Sequence, residues 1–138
     1  MTAYYLDSSA AVKLVVAEPG SAELLEWIRR EDPDLVSSEL MRAEVLRACR
    51  RHSPDALAAG RDTMDAVTLI ELGRDIVMSS AFIDPPESRT LDALHIATAL
   101  SLGDDLAGVL TYDDRFADGC RAYGLRIVDL ARESRRPE

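Results

Sequence analysis

Short β-like runs alternate along this chain with longer helical segments, and this alternation constrains the fold more than any other feature. The predicted strands are rich in β-branched or aromatic residues and lie at 3–6, 35–37, 67–70, 108–111 and 125–128. The predicted helices fill the gaps, at 9–16, 21–30, 39–51, 54–66, 74–82, 90–102 and 115–123. The pattern therefore predicts a single α/β domain with a central, mostly parallel sheet of about four to five short strands flanked by helices.

The ends of the predicted helices carry residues that commonly begin or end a helix. Ser21 and Ser38 are predicted N-caps, and Pro54 suits a first helical turn. Gly103 and Gly124 follow their helices, where a residue in the left-handed region is favoured. These residues support the predicted helix boundaries.

The length of 138 residues suits one ordinary domain. We expect this domain to span residues 1–131, and residues 132–138 to form a flexible C-terminal tail, because that segment has little to bury. No apolar run approaches the roughly 20 residues that cross a membrane, and the N-terminus lacks the pattern of a secretory signal. We therefore expect a cytoplasmic protein with no membrane segment. Cys49 and Cys120 are isolated, so we expect both to be reduced and to serve as small apolar side chains.

The formal net charge of −9 argues against binding nucleic acid by bulk positive charge. It leaves room for a local basic rim, since the chain has 16 basic residues, of which only Lys13 is a lysine. The planar guanidinium of arginine suits bidentate contact with phosphate. Most arginines on helix surfaces are nevertheless only solvated charge, and we expect that of most of these.

Asp7 and Asp113 follow the first and fourth predicted strands. In open parallel sheets, ligands bind outside the carboxyl ends of the strands, so both residues stand where functional side chains are expected. The competing interpretation is that each caps the helix after it, which aspartate does commonly. The sequence leaves both interpretations open.

Asp92 is harder to explain as a surface residue, because its helix is apolar nearly all round and is therefore expected to be buried. Asp92 and His95 form the polar stripe of the first half of this helix. A buried, unpaired carboxylate costs several kcal/mol in order of magnitude, so Asp92 requires a cation, a proton or strong donors. A histidine on a buried helix is more often a hydrogen-bonded core residue than a ligand, and His95 is not assigned to the site.

Glu44 lies on or beside the buried face of the third predicted helix, since Leu40, Met41 and Ala48 are its neighbours at helical spacing. Arg47, three residues later, could form a structural ion pair with it. That pairing is the alternative to a functional role.

The four acids can converge on one cleft in an α/β domain. Like charges about 4 Å apart repel by roughly 4 kcal/mol per pair at an effective dielectric of 20, so such a cluster needs a counter-ion. Carboxylate oxygens suit Mg²⁺ or Mn²⁺, and the sequence has no Cys/His set for zinc. A bound divalent ion can polarise a phosphodiester and activate water, so the cluster Asp7, Glu44, Asp92 and Asp113 indicates phosphodiester hydrolysis.

Four segments resemble the PIN domains, and within them the VapC-type toxins of bacterial toxin–antitoxin pairs. They are Tyr-Leu-Asp-Ser-Ser-Ala at 5–10, Ser-Ser-Glu-Leu-Met-Arg-Ala-Glu-Val at 37–45, Arg-Thr-Leu-Asp-Ala-Leu-His-Ile-Ala-Thr-Ala at 89–99 and Leu-Thr-Tyr-Asp-Asp-Arg-Phe at 110–116. The resemblance runs over nearly the whole chain. It places the four acidic positions of the family on Asp7, Glu44, Asp92 and Asp113.

The resemblance implies an endoribonuclease that cuts structured RNA such as tRNA or ribosomal RNA with Mg²⁺ or Mn²⁺. It also implies a homodimer that is inhibited by a small VapB-type antitoxin protein. Ser9 and Thr111 resemble small hydroxyl residues that line the cleft of the family, although either could be a cap. Asp114 is a neighbour of the site, better explained as the start of a helix.

Other interpretations are a non-catalytic binding module on a PIN scaffold, and a PIN nuclease that processes RNA outside toxin–antitoxin systems. A phosphorylation-receiving domain is excluded because it needs a lysine at a late strand end, and Lys13 lies in the first predicted helix. A phosphatase with an aspartate nucleophile needs a second acid two residues later, where this chain has Ser9.

Overall fold

The protein was analysed as a computed structural model that describes residues 2–133. Four parallel strands form one sheet in the order β3-β2-β1-β4: β1 Ala3–Leu6, β2 Asp34–Ser38, β3 Thr68–Ile70 and β4 Leu106–Leu110. Within the described residues, eight α-helices surround it: α1 Ser8–Lys13, α2 Ser21–Glu31, α3 Leu40–His52, α4 Pro54–Asp65, α5 Arg74–Ser80, α6 Thr90–Leu100, α7 Asp114–Ala122 and α8 Leu130–Glu133. The predicted α/β class with a parallel sheet is confirmed.

The sheet has a separate hydrophobic core on each face. Successive side chains of a strand point to opposite faces, and β1 shows this directly. Leu6 packs with α1, α2 and α3 through residues such as Trp27 and Met41, whereas Tyr5 packs with α6 and α7 through Ile96 and Phe116. Because both faces are covered, the carboxyl edge of the sheet is the open side on which the chain can build a site.

The fifth predicted strand, 125–128, is wrong. Only an isolated parallel bridge joins Ile127 to Val109, supported by the bonds from Val109 N–H to the Arg126 carbonyl and from Val128 N–H to the Val109 carbonyl. The chain then turns into α8 at Leu130. The β-branched residues of this segment therefore pack against the core and do not form a fifth strand of the sheet.

The C-terminal boundary predicted at residue 131 falls inside α8. Glu133 holds this helix in place. Its carboxylate accepts a hydrogen bond of 2.6 Å from the Trp27 indole and forms an ion pair of 3.2 Å with Arg126. The rest of the predicted tail, residues 134–138, lies outside the described residues.

Most helix ends carry the residues that the sequence predicted there. Pro54 opens α4, and Gly103 and Gly124 adopt positive φ after α6 and α7. Glu39, rather than the predicted Ser38, takes the N-cap position of α3, although the Ser38 hydroxyl accepts a hydrogen bond from the Leu40 amide. Ser21 was expected to be an N-cap, but Gly20 takes that position with φ 95°, and Ser21 is the first helical residue. Among the described residues, no helix is long and apolar enough to cross a membrane.

Candidate active site

Asp7 leaves β1 at its carboxyl end and is almost completely buried, with 7% of its surface exposed. Its backbone N–H donates to the Leu110 carbonyl at 3.0 Å, which extends the pairing of β1 with β4 by one residue. Asp7 occupies the N-cap position of α1, yet its carboxylate makes no capping hydrogen bond. The cap interpretation that the sequence left open therefore does not explain this side chain.

Two hydroxyl groups orient the Asp7 carboxylate. Ser9 and Thr111 each donate a hydrogen bond of 2.7 Å to its Oδ2 atom. The same hydroxyls also accept backbone N–H groups from the loop after β4: Ser9 from Tyr112 at 2.9 Å and Thr111 from Asp113 at 3.1 Å. The carboxylate is thus fixed between the ends of two neighbouring strands, and Ser9 and Thr111 belong to its support.

Asp113 does act as an N-cap, because its Oδ1 atom accepts the backbone N–H of Phe116 at 3.1 Å. Capping uses one carboxylate oxygen and does not remove the negative charge. For Asp113 the capping role and a place at the acidic site are therefore compatible. Asp114, the first residue of α7, is exposed, in agreement with its interpretation as a helix start.

Asp92 lies in the first turn of α6 with a side chain that is 21% exposed. Burial raises the pKa of its carboxyl above the ordinary value of 3.8, and the negative charges of Asp113 and Asp7 raise it further. Arg89, whose Nε atom lies 3.7 Å from Oδ2, and His95 act in the opposite direction. Asp92 therefore lies in the electrostatic field of Asp7 and Asp113.

The same negative potential acts on the core beneath the site. Cys120 is fully buried in α7, and burial together with the charges of Asp7 and Asp92 raises the pKa of its thiol to about 12. The thiol is therefore protonated at neutral pH and acts as a small apolar side chain, as the sequence predicted for both cysteines.

Glu44 is held by a histidine rather than by the arginine that the sequence offered as its partner. Its Oε1 atom lies 2.7 Å from Nε2 of His95, and the side chain is 27% exposed. Within residues 2–133, no ion pair between Glu44 and Arg47 is present. The partner of Glu44 therefore belongs to α6 and not, as the alternative had it, to its own helix α3.

His95 lies between two partners in the core. Its Nδ1 atom is 2.6 Å from the Tyr5 hydroxyl, and only 2% of the residue is exposed. Burial raises the pKa of the Tyr5 phenol well above its ordinary value, so the phenol keeps its proton. A carboxylate can only accept, so Nε2 carries the hydrogen that Glu44 receives, and the phenol can donate to Nδ1. Sequence reasoning placed His95 in the core but missed that it positions Glu44.

The carboxylates do not form a closed cage. Among residues 2–133, no group of three or more Asp, Glu, His or Cys side chains is close enough to hold a metal ion. Glu44 is turned toward His95, and Asp113 toward the first turn of α7. The donor chemistry suits a hard divalent cation, and Mg²⁺ commonly keeps several waters and binds through only one or two carboxylates. The buried Asp7 and the neighbouring Asp92 fit that mode of binding.

The raised pKa of Asp92 gives a test of this electrostatic description. A carboxyl group with a higher pKa in the folded state binds more protons when folded, so its contribution to stability decreases as pH rises through that window. The amide of an Asp92→Asn variant does not titrate. We expect the free energy of unfolding of this variant, minus that of the wild type, to increase between pH 4 and pH 7 in metal-free buffer. Urea denaturation at a series of pH values measures it, and a constant difference would contradict the shared negative environment.

Residues 4–122 match the family model described as PIN domain. A protein of Mycobacterium tuberculosis (strain ATCC 25618 / H37Rv) named Ribonuclease VapC46 is 43% identical over 128 residues, which cover 93% of this chain and 98% of that protein. Ribonuclease VapC47 of M. tuberculosis (strain CDC 1551 / Oshkosh) is 32% identical over 124 residues, 87% of this chain and 91% of that protein.

Among solved structures, the chain resembles the crystal structure of M. tuberculosis VapC20, which is described as a Sarcin-Ricin loop cleaving toxin. The TM-score is 0.70 with 17% sequence identity, and the alignment covers 91% of this chain and 98% of the VapC20 chain. At that identity the likeness concerns the fold. The family model and the two sequence relatives cover nearly the whole domain, so this chain belongs to the PIN-domain family, with the VapC ribonucleases among its relatives.

Proposed function

We propose that this protein is a metal-dependent endoribonuclease that uses Mg²⁺ or Mn²⁺ and acts as the toxin of a toxin–antitoxin pair. The observation that carries the proposal is the Asp7 carboxylate, which is buried at a strand end, does not cap its helix and is oriented by two hydroxyls. Relatives that align along almost the whole chain are named ribonucleases, which supports RNA as the substrate.

On this proposal, Asp7, Glu44, Asp92 and Asp113 are the catalytic and metal-binding residues. A bound divalent ion supplies a Lewis acid for the phosphodiester and lowers the pKa of a coordinated water. Asp7 and Asp92 would be the principal ligands of the ion, because Asp7 is almost completely buried and Asp92 lies in its negative field, and Asp113 and Glu44 would complete the set. Asp113 adds negative charge at the same edge of the sheet.

Glu44 has a separate role in this proposal. The bond from His95 fixes its Oε1 atom, so that the second oxygen of the carboxylate remains to orient a water molecule. Because His95 is itself held by Tyr5, the position of Glu44 depends on the core between β1, α3 and α6. Structured RNA, such as tRNA or ribosomal RNA, is the proposed class of substrate.

The proposed partners are a VapB-type antitoxin and a second copy of this chain, in the cytoplasm. Large apolar side chains remain exposed on α5, just after it and at the start of α6, where Val77, Met78, Phe82 and Leu91 are between 45% and 77% exposed. Exposed apolar patches are commonly used for protein contacts. The net charge of −9 favours a partner with a cationic segment.

Cleavage of RNA tests the enzymatic part of the proposal. We expect the purified protein to cut RNA in the presence of Mg²⁺ or Mn²⁺ and not in EDTA. Asp7→Asn should reduce cleavage at least about a hundredfold, because it removes a charged ligand of the ion. Asp104→Asn, a change at an exposed acid in the turn after α6, is the matched control and should cut like the wild type. Unreduced cleavage by folded Asp7→Asn, judged by circular dichroism, would refute the assignment.

Expression in bacterial cells tests the toxin role. The wild-type protein should arrest growth, and co-expression of the small protein encoded beside it should restore growth. Asp7→Asn at the same protein level should be harmless, because toxicity depends on cleavage. Normal growth of cells that contain active, folded wild-type protein would count against a toxin.

A further inference from the structure

A cleft of about 420 Å³ opens between α6, α7 and the segment before α6. Asp92 and Arg89 line one side, Arg115 and Phe116 line the other, and Ile96 lies at the base. Asp92 therefore belongs both to this cleft and to the acidic site. A molecule in the cleft would lie beside the position where the phosphodiester is cut.

We propose that this cleft is the subsite for one nucleotide of the RNA substrate, adjacent to the scissile phosphate, with the base inside the cleft and a phosphate on Arg115. This inference rests on the proposed ribonuclease function and adds a residue-level account of substrate recognition. The volume of the cleft lies at the lower end of the roughly 300–1,000 Å³ that is usual for small-molecule pockets, which suits a single nucleotide.

The interior of the cleft suits an unstacked base. Pro85 and Ala122 are exposed and give the cleft apolar walls, whereas Ile96 and Phe116 form its floor, where they are 2% and 1% exposed and are fixed by the core. Gly119 of α7 lets this helix lie close to α6, because a Cβ atom at this position would stand 3.0 Å from Cδ1 of Ile96. Proteins that read RNA commonly hold splayed-out bases against apolar or aromatic side chains in this manner.

The mouth of the cleft offers a cation to the backbone of the substrate. Arg115 is exposed, and within the described part of the chain no acid forms an ion pair with it. Four acids line the cleft: Asp92 is engaged with Arg89, Asp118 is engaged with Arg121 at 3.2 Å, and Asp84 and Glu87 belong to the segment before α6, whereas Arg115 belongs to α7. In a protein of net charge −9, a cation beside the acidic site offsets the repulsion that an incoming phosphate meets.

Filling the cleft from its exposed edge tests the base subsite. Ala122, at the end of α7, lines the cleft and is exposed, so Ala122→Leu adds volume there without entering the core. Ala58→Leu, at an exposed position of α4, is the matched control. RNA hairpins with randomised loops are first used to map the bond that the wild type cuts. Two synthetic hairpins are then compared with the intact one, each with an abasic ribose on one side of that bond.

We expect the abasic ribose to lower kcat/KM of the wild type about tenfold at one of the two positions, because the base loses its contacts. Ala122→Leu should cut the intact hairpin about tenfold more slowly and no longer distinguish it from the abasic one, whereas Ala58→Leu should match the wild type. An abasic effect that persists unchanged in Ala122→Leu, or no abasic effect in an active wild type, would overturn the subsite and leave the ribonuclease proposal intact.

Binding without cleavage tests Arg115 separately. In EDTA, fluorescence anisotropy of a labelled hairpin should show weaker binding by Arg115→Ala, and the slope of log K against log salt should fall by about one phosphate contact. Arg61→Ala, a change at an exposed arginine of α4, is the control. Equal slopes for the two variants would overturn the phosphate contact. If the wild type did not cleave RNA, the ribonuclease proposal would be refuted. The binding measurement would still decide the role of Arg115.

Discussion

The buried carboxylate of Asp7 at the junction of β1 and β4 is the constraint on which the rest of the site depends. Its Oδ2 atom receives hydrogen bonds from Ser9 and Thr111, and those hydroxyls in turn hold the loop that leads to Asp113. One hydrogen-bond network therefore fixes an acid, the turn into α1 and the turn into α7. A buried charge of this kind destabilises the fold unless donors or a cation compensate it, and the Ser9 and Thr111 hydroxyls supply two donors here.

Asp92 and Glu44 are linked to the region around this charge in different ways. Asp92 lies in its electrostatic field: burial and, after it, the charges of Asp113 and Asp7 raise the pKa of the Asp92 carboxyl, and Arg89 acts in the opposite direction. Glu44 is tied through His95 to Tyr5, the residue that precedes Leu6 at the end of β1. On the proposed function, a divalent cation would offset the repulsion among these carboxylates and between them and an incoming phosphate, in a chain of net charge −9.

The elements that position the site followed from local patterns in the sequence. The first four strands and the seven principal helices were predicted because their periodicity and punctuation are local properties, and the strand ends led directly to Asp7 and Asp113. The segment 125–128 has the composition of a strand but forms a single bridge, because pairing depends on neighbours that composition does not specify.

Side-chain partners were harder to predict than elements. From the sequence, Asp7 and Asp113 were equally good candidates for helix caps. In the structure only Asp113, of these two, caps a helix with its side chain, because Ser9 and Thr111 hold the Asp7 carboxylate in another orientation. Arg47 was a reasonable partner for Glu44 from helical spacing. The actual partner, His95, lies 51 residues away and is brought close only by the packing of α3 against the sheet and α6. The i, i+3 spacing of Arg89 and Asp92 could have revealed their ion pair.

Calorimetric titration of the purified protein with Mn²⁺, in the absence of RNA, tests most directly whether Asp7 and its neighbours form a cation site. We expect saturable binding by the wild type and by the surface variant Asp104→Asn, and loss of that binding in folded Asp7→Asn. Binding of Mn²⁺ by Asp7→Asn with the affinity of the wild type would contradict the cation site.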